Sequence, residues 1–204
     1  MSREVCYVCK RAKVACLCGR IKPQANQLKV IVLQHPDEAR HAKGSAIIAE
    51  LGLQQYQCWV GEDFTQHAQL NALIENQADK IRVLYPAEQA VEWLPRNQSG
   101  NKLPVAYLIV IDATWRKARR IWESNGQLHA LSCVKLSPKK ASNYRIRKVP
   151  QAGYLSTVES IVEGLRQIEG QAQAYQPLLD LFDEMVDFQI ESMGEMIYRE
   201  NYPK

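Results

Sequence analysis

An acidic residue, Asp112, stands directly after a continuous apolar run and directly before a basic segment. The run over residues 105–111 is typical of a strand buried on both faces. Because ligands bind at the carboxyl ends of strands in open parallel sheets, Asp112 stands where a general base can act on a substrate. The alternative is that Asp112 only N-caps the helix that begins at Ala113, with Trp115 and Trp122 in the core.

Four cysteines near the start of the chain have the spacing of metal ligands. Two pairs of thiols, separated by a short basic loop and followed by Gly19, can surround a Zn²⁺ ion with no open position, as in a structural site: Cys6, Cys9, Cys16 and Cys18. The second pair has one intervening residue rather than the commoner two, and metal-free thiols are the alternative. Cys58 and Cys133 lie in apolar runs and are predicted to be core thiols.

Positive charge is concentrated in the body of the chain. The net charge is +4, but from residue 171 onward there are seven acidic and two basic residues, so residues 1–170 carry +9 and the remainder −5. A basic body favours a polyanionic partner such as RNA, and a solvated surface without a partner is the alternative.

The basic residues fall into three groups that are predicted to contact RNA. One group surrounds the cysteines and consists of Arg3, Lys10, Arg11, Lys13, Arg20 and Lys22. The second group lies on the helix after Asp112 and consists of Arg116, Lys117, Arg119 and Arg120. The third has Tyr144 between its cations, which suits phosphate contact with base stacking, and consists of Lys139, Lys140, Arg145, Arg147 and Lys148.

Apolar runs and helical periodicities alternate along the chain. They predict strands at 28–33, 56–60, 80–85, 105–111 and 133–136. They predict helices from 36 to 49, around 67–74, over 87–93, from 113, after 156, and an amphipathic helix over 175–198. This order indicates an α/β fold with a mostly parallel sheet flanked by helices. The loop at 94–104 is a candidate lid or RNA-contact segment, or a flexible connector.

The length and the composition limit the function classes. At 204 residues and 46% hydrophobic content, we expect one full α/β domain with a small appendage. No apolar stretch approaches the roughly 20 residues that span a bilayer, and no signal-peptide pattern is visible, so we expect a cytoplasmic protein without a membrane partner. The glycines form neither a dinucleotide-binding nor a P-loop pattern, which disfavours a dehydrogenase or a kinase.

Two further polar motifs have a structural and a functional interpretation. Ser156 and Glu159 fit a capping box, and the same helix start presents free N–H groups to a ligand. His35 and Glu38 follow a predicted strand, where the segment fits an ordinary strand-to-helix turn and His35 is expected to be structural.

Four motifs, taken in order, resemble those of the DTW-domain family. Along the chain they are the cysteine cluster, the segment Gln34-His35-Pro36-Asp37-Glu38, the signature Asp112-Ala113-Thr114-Trp115 and the segment Leu155-Ser156-Thr157-Val158-Glu159. The resemblance covers nearly the whole chain. It implies a tRNA-uridine aminocarboxypropyltransferase with a SPOUT-like Rossmannoid fold and a C-terminal trefoil knot. It also implies a zinc knuckle at 1–24 and a catalytic domain at 25–204 that includes the C-terminal amphipathic helix. As part of the family motif, His35 and Glu38 would shape the substrate pocket.

The resemblance further implies the chemistry of the site. The 3-amino-3-carboxypropyl tail of S-adenosylmethionine would pass to N3 of a tRNA uridine, in the variable loop or the D-loop, while Asp112 takes the N3 proton and 5′-methylthioadenosine leaves. Arg116 or Arg147 would hold the carboxylate of the tail, and Trp115 would stack on a base or lie in the core. The implied cofactor site comprises Leu84, Tyr85, Pro86, Ile111, Ala113, Thr114, Trp115, Leu136, Leu155, Ser156, Thr157 and Glu159. An RNA methyltransferase and a zinc-containing RNA-binding protein without catalysis remain alternatives.

Overall fold

The protein, described from a computed structural model over residues 4–41, 43–93, 105–138, 140–147 and 154–202, is built on a parallel sheet. Six strands pair in the order β2-β1-β5-β3-β6-β4. Their bounds are β1 Lys29–Gln34, β2 Tyr56–Val60, β3 Ile81–Leu84, β4 Val91–Glu92, β5 Tyr107–Asp112 and β6 Ser132–Lys135. The sequence-predicted α/β class and parallel sheet are confirmed.

Helices cover both faces of the sheet. Their bounds are α1 Ala46–Gly52, α2 Ala68–Gln77, α3 Trp115–Ser124, α4 Thr157–Glu169, α5 Gln176–Met193 and α6 Glu195–Asn201. Short 3₁₀ turns occupy Lys13–Ala15, Cys18–Arg20, Glu38–Arg40, Ala78–Lys80 and Gly126–Ala130. None of the helices in the described ranges is long and apolar enough to cross a membrane.

Successive side chains of β1 point to opposite faces of the sheet and belong to two separate hydrophobic clusters. Val30 and Val32 pack into the cluster that includes side chains of α1, α4 and α5. Ile31 and Leu33 pack into the opposite cluster, which includes side chains of α2 and α3. Since successive strand residues point to opposite faces, one buried strand anchors both helical layers.

The close packing of α4 on β5 depends on a small residue. A Cβ placed on Gly164 of α4 would lie 3.1 Å from the side chain of Leu108 on β5. On the same helix turn, the Trp93 indole Nε1 donates to the Gly164 carbonyl at 3.2 Å. Consequently α4 lies directly against the central strand, and its first turn reaches the carboxyl end of β5.

Three predicted helices differ from the structure. The helix predicted over 87–93 is wrong, because this segment turns and adds the short strand β4 beside β6. The helix predicted from 36 to 49 is a 3₁₀ turn followed by α1, since the chain reverses at Gly44, whose N–H donates to the His41 carbonyl at 2.8 Å. The helix predicted over 175–198 is divided into α5 and α6 at Gly194, whose φ of 81° ends α5.

The cysteine-rich segment, residues 4–24, packs against the sheet domain. Leu17 belongs to the main hydrophobic core with 1% of its surface exposed. The buried Arg11 guanidinium donates to the Gly44 carbonyl at 2.7 Å, and the Gln24 N–H donates to the Gly52 carbonyl at 2.7 Å. These contacts fix the segment against Gly44, which precedes α1, and against Gly52, the last residue of α1.

Candidate functional site

Asp112 is the last residue of β5, and its carboxylate is buried between two hydrogen-bond donors. The Thr157 hydroxyl, at the start of α4, donates to Oδ1 at 2.5 Å. The Gln34 amide donates to Oδ2 at 2.7 Å, and Gln34 is the register partner of Asp112 on the neighbouring strand β1. The side chain therefore bridges two strands and a helix instead of capping α3, whose N-cap residue is Thr114.

The burial of this carboxylate changes its acidity. Desolvation raises the pKa of Asp112, while the hydrogen bonds from Gln34 and Thr157 oppose that rise. The Glu38 carboxylate nearby raises the pKa further, and the Arg147 guanidinium lowers it. A buried carboxylate with a raised pKa is a stronger proton acceptor than an exposed one, which is the property that a general base needs.

A cavity of about 570 Å³, termed here the larger cavity, opens at the carboxyl ends of β3, β5 and β6. This volume lies within the range of about 300–1,000 Å³ that is typical of small-molecule sites. Eleven of the sequence-predicted cofactor residues line it, namely Leu84, Tyr85, Pro86, Ile111, Ala113, Thr114, Trp115, Leu136, Leu155, Ser156 and Thr157. Four separate stretches of chain thus meet around one space.

Two residues of the predicted site lie behind this wall. Asp112 is not among the lining residues, but it is hydrogen-bonded to Thr157, which lines the cavity. Glu159 forms the predicted capping box with Ser156, and its carboxylate also accepts from the Ser142 hydroxyl at 2.6 Å and the Asn143 N–H at 2.8 Å. Glu159 therefore joins the start of α4 to the 142–143 segment and holds Ser156 at the cavity wall.

Among the described residues two cations line the larger cavity, Arg147 and Lys135. The Arg147 guanidinium donates to Glu38 Oε1 at 3.2 Å and lies over the Tyr144 ring, 5.8 Å from the centroid. The second carboxylate oxygen of Glu38, Oε2, is buried and has no hydrogen-bond partner among the described residues. Arg116, the other sequence-predicted holder of a substrate carboxylate, is exposed on α3 and is not among the residues that line the cavity.

The basic residues of α3 differ in their surroundings. Arg116 is exposed. Lys117 forms an ion pair with Asp37, Arg119 with Glu123 at 2.7 Å, and Arg120 with Glu62 at 3.2 Å. Arg119 and Arg120 retain about three-quarters of their side-chain surface exposed, so exposed pairs of this kind leave both cations accessible to another anion.

The third basic group is largely tied to the domain itself. Arg145 donates to Asp187 of α5 at 2.6 Å, Arg147 is paired as above, and Lys140 is exposed. Lys139 and Lys148, like the 94–104 loop and Arg3, lie outside the described residues.

Aromatic residues, among them Tyr85, Trp115 and Tyr154, line the larger cavity. Trp115 keeps 40% of its surface exposed, with its ring centroid 4.0 Å from that of Tyr154. Tyr85 stacks on the buried Trp122 at 4.7 Å, and Trp122 in turn stacks on His129. Trp122 is thus a core residue, whereas Trp115 is at the surface.

The four N-terminal cysteines converge as ligand atoms would. The sulfur atoms of Cys6, Cys9, Cys16 and Cys18 all lie within 4.8 Å of one another. Backbone N–H groups of Cys9 and Val8 lower the pKa of Cys6 to about 6, whereas burial is the main cause that raises the pKa of Cys18 to about 12. Four sulfur atoms at this mutual distance fit one tetrahedral Zn²⁺ ion, which binds thiolates.

The cations around the cysteines are partly used inside the protein. Arg11 is buried, Lys13 pairs with Glu4 at 2.8 Å, and Arg20 pairs with Glu184 at 2.9 Å. Lys10 and Lys22 are exposed.

Sequence reasoning missed the hydrogen bond of Gln34 to Asp112 and the ring contact between Tyr154 and Trp115. Gln34 was noted only as part of a motif, although a polar residue that ends the strand beside β5 is itself a signal for contact with Asp112. Tyr154 precedes the capping box, and no sequence pattern indicates that its ring meets Trp115. His35 is structural as expected, since Nδ1 accepts from the Asp37 N–H at 3.1 Å and Nε2 lies 3.2 Å from Glu62.

Comparison with known proteins gives one family and several relatives. The DTW domain model matches residues 3–190. The Drosophila melanogaster tRNA-uridine aminocarboxypropyltransferase 2 is 30% identical, over 99% of this chain and 84% of that protein. The Mus musculus protein of the same name is 24% identical over 98% and 68%, and the Arabidopsis thaliana tRNA-uridine aminocarboxypropyltransferase A is 22% identical over 95% and 84%. No solved structure matches the chain significantly.

Proposed function

The chain belongs to the DTW-domain family, and on that premise we propose that it is a tRNA-uridine aminocarboxypropyltransferase. It transfers the 3-amino-3-carboxypropyl group of S-adenosylmethionine to N3 of a tRNA uridine, in the variable loop, and releases 5′-methylthioadenosine. The observation that carries this proposal is the family match over residues 3–190, joined to a cavity of cofactor size beside a buried carboxylate.

The larger cavity is the proposed site for the adenosyl group. Its walls are strand-end loops and apolar side chains, with the exposed Trp115 at the mouth. An adenine ring suits such a wall because aromatic stacking and backbone groups can hold it without a phosphate-binding loop. Arg147 is the proposed partner for the tail carboxylate, because it lines this cavity and its fork suits a carboxylate.

Asp112 is the proposed acceptor of the uridine N3 proton. Because the carboxylate lies behind Thr157, the Thr157 hydroxyl passes its proton to Asp112 as it receives the proton of the imide. The N3 electron pair forms the bond to the tail carbon, and the electron pair of the broken carbon–sulfur bond stays on sulfur, which leaves as a neutral thioether. Every step is balanced without a metal at this site.

The cations assigned to RNA are those that remain accessible. Arg116, Arg119 and Arg120 on α3 are the proposed phosphate contacts beside the cavity, with Lys140 in support. Arg145 and Lys117 are held by Asp187 and Asp37, so they would need to exchange partners on binding.

The fold is proposed to be SPOUT-like, with a C-terminal trefoil knot, a zinc knuckle at 1–24 and a catalytic domain at 25–204. Strand order supports this proposal, because β5 follows β3 and β4 in the chain yet lies between β1 and β3. Trp93, which precedes the connection to β5, contacts Gly164 of α4. Zn²⁺, held by the four cysteines, would stabilise the fold of the knuckle.

The decisive experiment incubates the protein with S-adenosylmethionine and unmodified tRNA. We expect 5′-methylthioadenosine and a tRNA uridine that is heavier by one aminocarboxypropyl group, identified by mass analysis of nucleosides. S-adenosylhomocysteine with a methylated nucleoside would instead indicate an RNA methyltransferase. Binding of tRNA with neither product would indicate a zinc-containing RNA-binding protein.

A further inference from the structure

The cysteine knuckle, residues 4–24, exposes an unusual share of apolar surface. Among the described residues nine large apolar side chains are exposed, and four of them lie in this short segment: Val5, Tyr7, Val8 and Val14. Tyr7 is 96% exposed and Val14 is 81% exposed. Exposed apolar side chains scattered singly are normal, whereas four of them within residues 5–14 are an unusual concentration, so this segment has the character of a contact surface.

The opposite side of the knuckle is fixed to the domain. Leu17 is buried in the main core, the buried Arg11 bonds the Gly44 carbonyl, and Arg20 pairs with Glu184 of α5. Each anchor comes from a different part of the segment. Tyr7 is therefore presented on a held scaffold, and a ligand that stacks on it need not order a loose chain first.

The knuckle stands at the same sheet edge as Asp112. A smaller cavity of about 190 Å³ lies beneath it, lined by Val8 and Lys10 from the knuckle and by Gln34 and Glu38 from the end of β1 and the turn after it. Gln34 is hydrogen-bonded to Asp112. The residues beneath the knuckle are thus connected through Gln34 and Asp112 to Thr157 in the wall of the larger cavity.

The charge of the knuckle selects the kind of partner. Its described residues include Lys10 and Lys22, both exposed, and a single acid, Glu4, which is paired with Lys13. Cations beside an exposed aromatic ring are the combination that binds unpaired nucleotides, with the ring stacking on a base and the cations at the phosphates.

We propose that the exposed face of the knuckle, formed by Tyr7, Val8, Val14 and Lys10, binds an unpaired nucleotide of the substrate RNA outside the target uridine. Tyr7 stacks on its base and Lys10 contacts its phosphate. This inference rests on the proposed function only for the identity of the RNA. The site is separate from the larger cavity, so it governs RNA affinity and not binding of the donor.

The test compares Tyr7→Ala with Tyr7→Phe in the full-length, zinc-loaded protein, by measuring the Kd for tRNA and for S-adenosylmethionine. Loss of one stacked base weakens RNA binding by roughly five- to 150-fold, so we expect a fall of this size for Tyr7→Ala. Tyr7→Phe keeps the ring and should bind like the wild type. Zinc content and the Kd for S-adenosylmethionine should be unchanged in both variants.

Salt dependence separates stacking from charge. Tyr7→Ala should lower the affinity without changing the slope of log Kd against log salt, whereas Lys10→Ala should reduce that slope by about 0.7. Equal tRNA affinity of Tyr7→Ala and wild type would overturn the proposal, as would equal losses in the Ala and Phe variants. Because the assay measures binding, wild-type protein that binds tRNA but yields no aminocarboxypropyl product would refute the proposed function and leave this test intact.

Discussion

The Thr157 hydroxyl donates to Asp112 Oδ1 at 2.5 Å, so the first residue of α4 separates the buried carboxylate of β5 from the larger cavity. The hydroxyl is the polar group of the Thr157 side chain, it donates to Asp112, and Thr157 lies in the wall of the cavity. Loss of the hydroxyl therefore affects the acidity of Asp112 and its connection to a substrate together.

Thr157→Val tests this relationship, because valine keeps the shape and removes the hydroxyl. The hydrogen bond from Thr157 lowers the pKa of Asp112, so its loss should raise that pKa and leave more of the carboxyl protonated at a given pH. We expect kcat for aminocarboxypropyl transfer to fall at least about tenfold, since a positioned proton-transfer group contributes roughly 10²–10⁴-fold. Thr157→Ser should retain most of the activity, and equal rates of the Val variant and wild type would remove the relay.

Asp112→Asn separates catalysis from stability. A carboxyl whose pKa is raised by burial stabilises the folded state only while it is protonated, and this contribution is lost as the pH rises through the folded-state pKa. Replacing it with a neutral amide should therefore leave the free energy of unfolding at pH 7 within about 1 kcal/mol of wild type, or increase it. Transfer should stop while tRNA affinity persists. Urea unfolding and product analysis measure the two effects on the same sample, and full turnover would exclude Asp112 as the base.

The pH dependence of kcat should show an acidic limb that belongs to Asp112. A base must be ionised, and burial moves the pKa of this carboxyl above its usual range, so activity should rise with pH through a midpoint above that range. Thr157→Ser should keep the limb near its wild-type position, and Thr157→Val should move it to higher pH. If the acidic limb of the Thr157→Val profile stays at its wild-type pH, the limb belongs to a group other than Asp112.

Arg147→Lys tests the proposed contact with the tail of the donor. Lysine keeps the charge beside Glu38 but lacks the planar fork that pairs with a carboxylate through two bonds. We expect the Kd for S-adenosylmethionine to rise about tenfold. The Kd for 5′-methylthioadenosine, which has no carboxylate, should not change and serves as the internal control. Equal weakening of both ligands would place the defect in the shape of the cavity.

Cys16→Ser should remove the metal of the knuckle. A zinc site with three sulfur ligands and a hydroxyl binds less tightly, and a structural zinc ion contributes directly to folding. We expect zinc content, measured by atomic emission, to fall and the Tm to decrease. Cys58 lies outside the cluster, so Cys58→Ser is the matched control, and this variant should keep the zinc of the knuckle. Retention of zinc by Cys16→Ser would exclude the four-cysteine site.

The strands and the cysteine cluster could be predicted because their signals are local. A run such as 105–111 is apolar throughout only when both faces are covered, and the structure places β5 between β1 and β3. The helix predicted over 87–93 was wrong because seven residues of mixed polarity fit a helix as well as a turn. Pairing with β6, which no local pattern encodes, decided its conformation.

The surroundings of the site residues could be predicted less well than their positions. Sequence placed Asp112 at a strand end, but the position of Thr157 in front of it depends on how closely α4 approaches β5 at Gly164. In the same way Arg145 has the sequence context of an RNA contact, yet α5 returns to this side of the domain and pairs it with Asp187. Which cations remain available for RNA therefore depends on long-range packing, which the sequence composition does not reveal.

The cations of α3 provide a last prediction, which separates accessible charge from paired charge. Arg116 is exposed, whereas Lys117 has only 25% of its side chain exposed and is paired with Asp37. A largely covered cation that already neutralises a protein carboxylate gains less by moving to a phosphate than an exposed cation does. Arg116→Ala should therefore lower tRNA affinity and reduce the slope of log Kd against log salt by about 0.7–0.9, while Lys117→Ala should change that slope by less. Filter binding over a range of salt concentrations gives both slopes. A larger change for Lys117→Ala than for Arg116→Ala would mean that the RNA displaces Asp37 and that α3 binds it through the face turned toward β1.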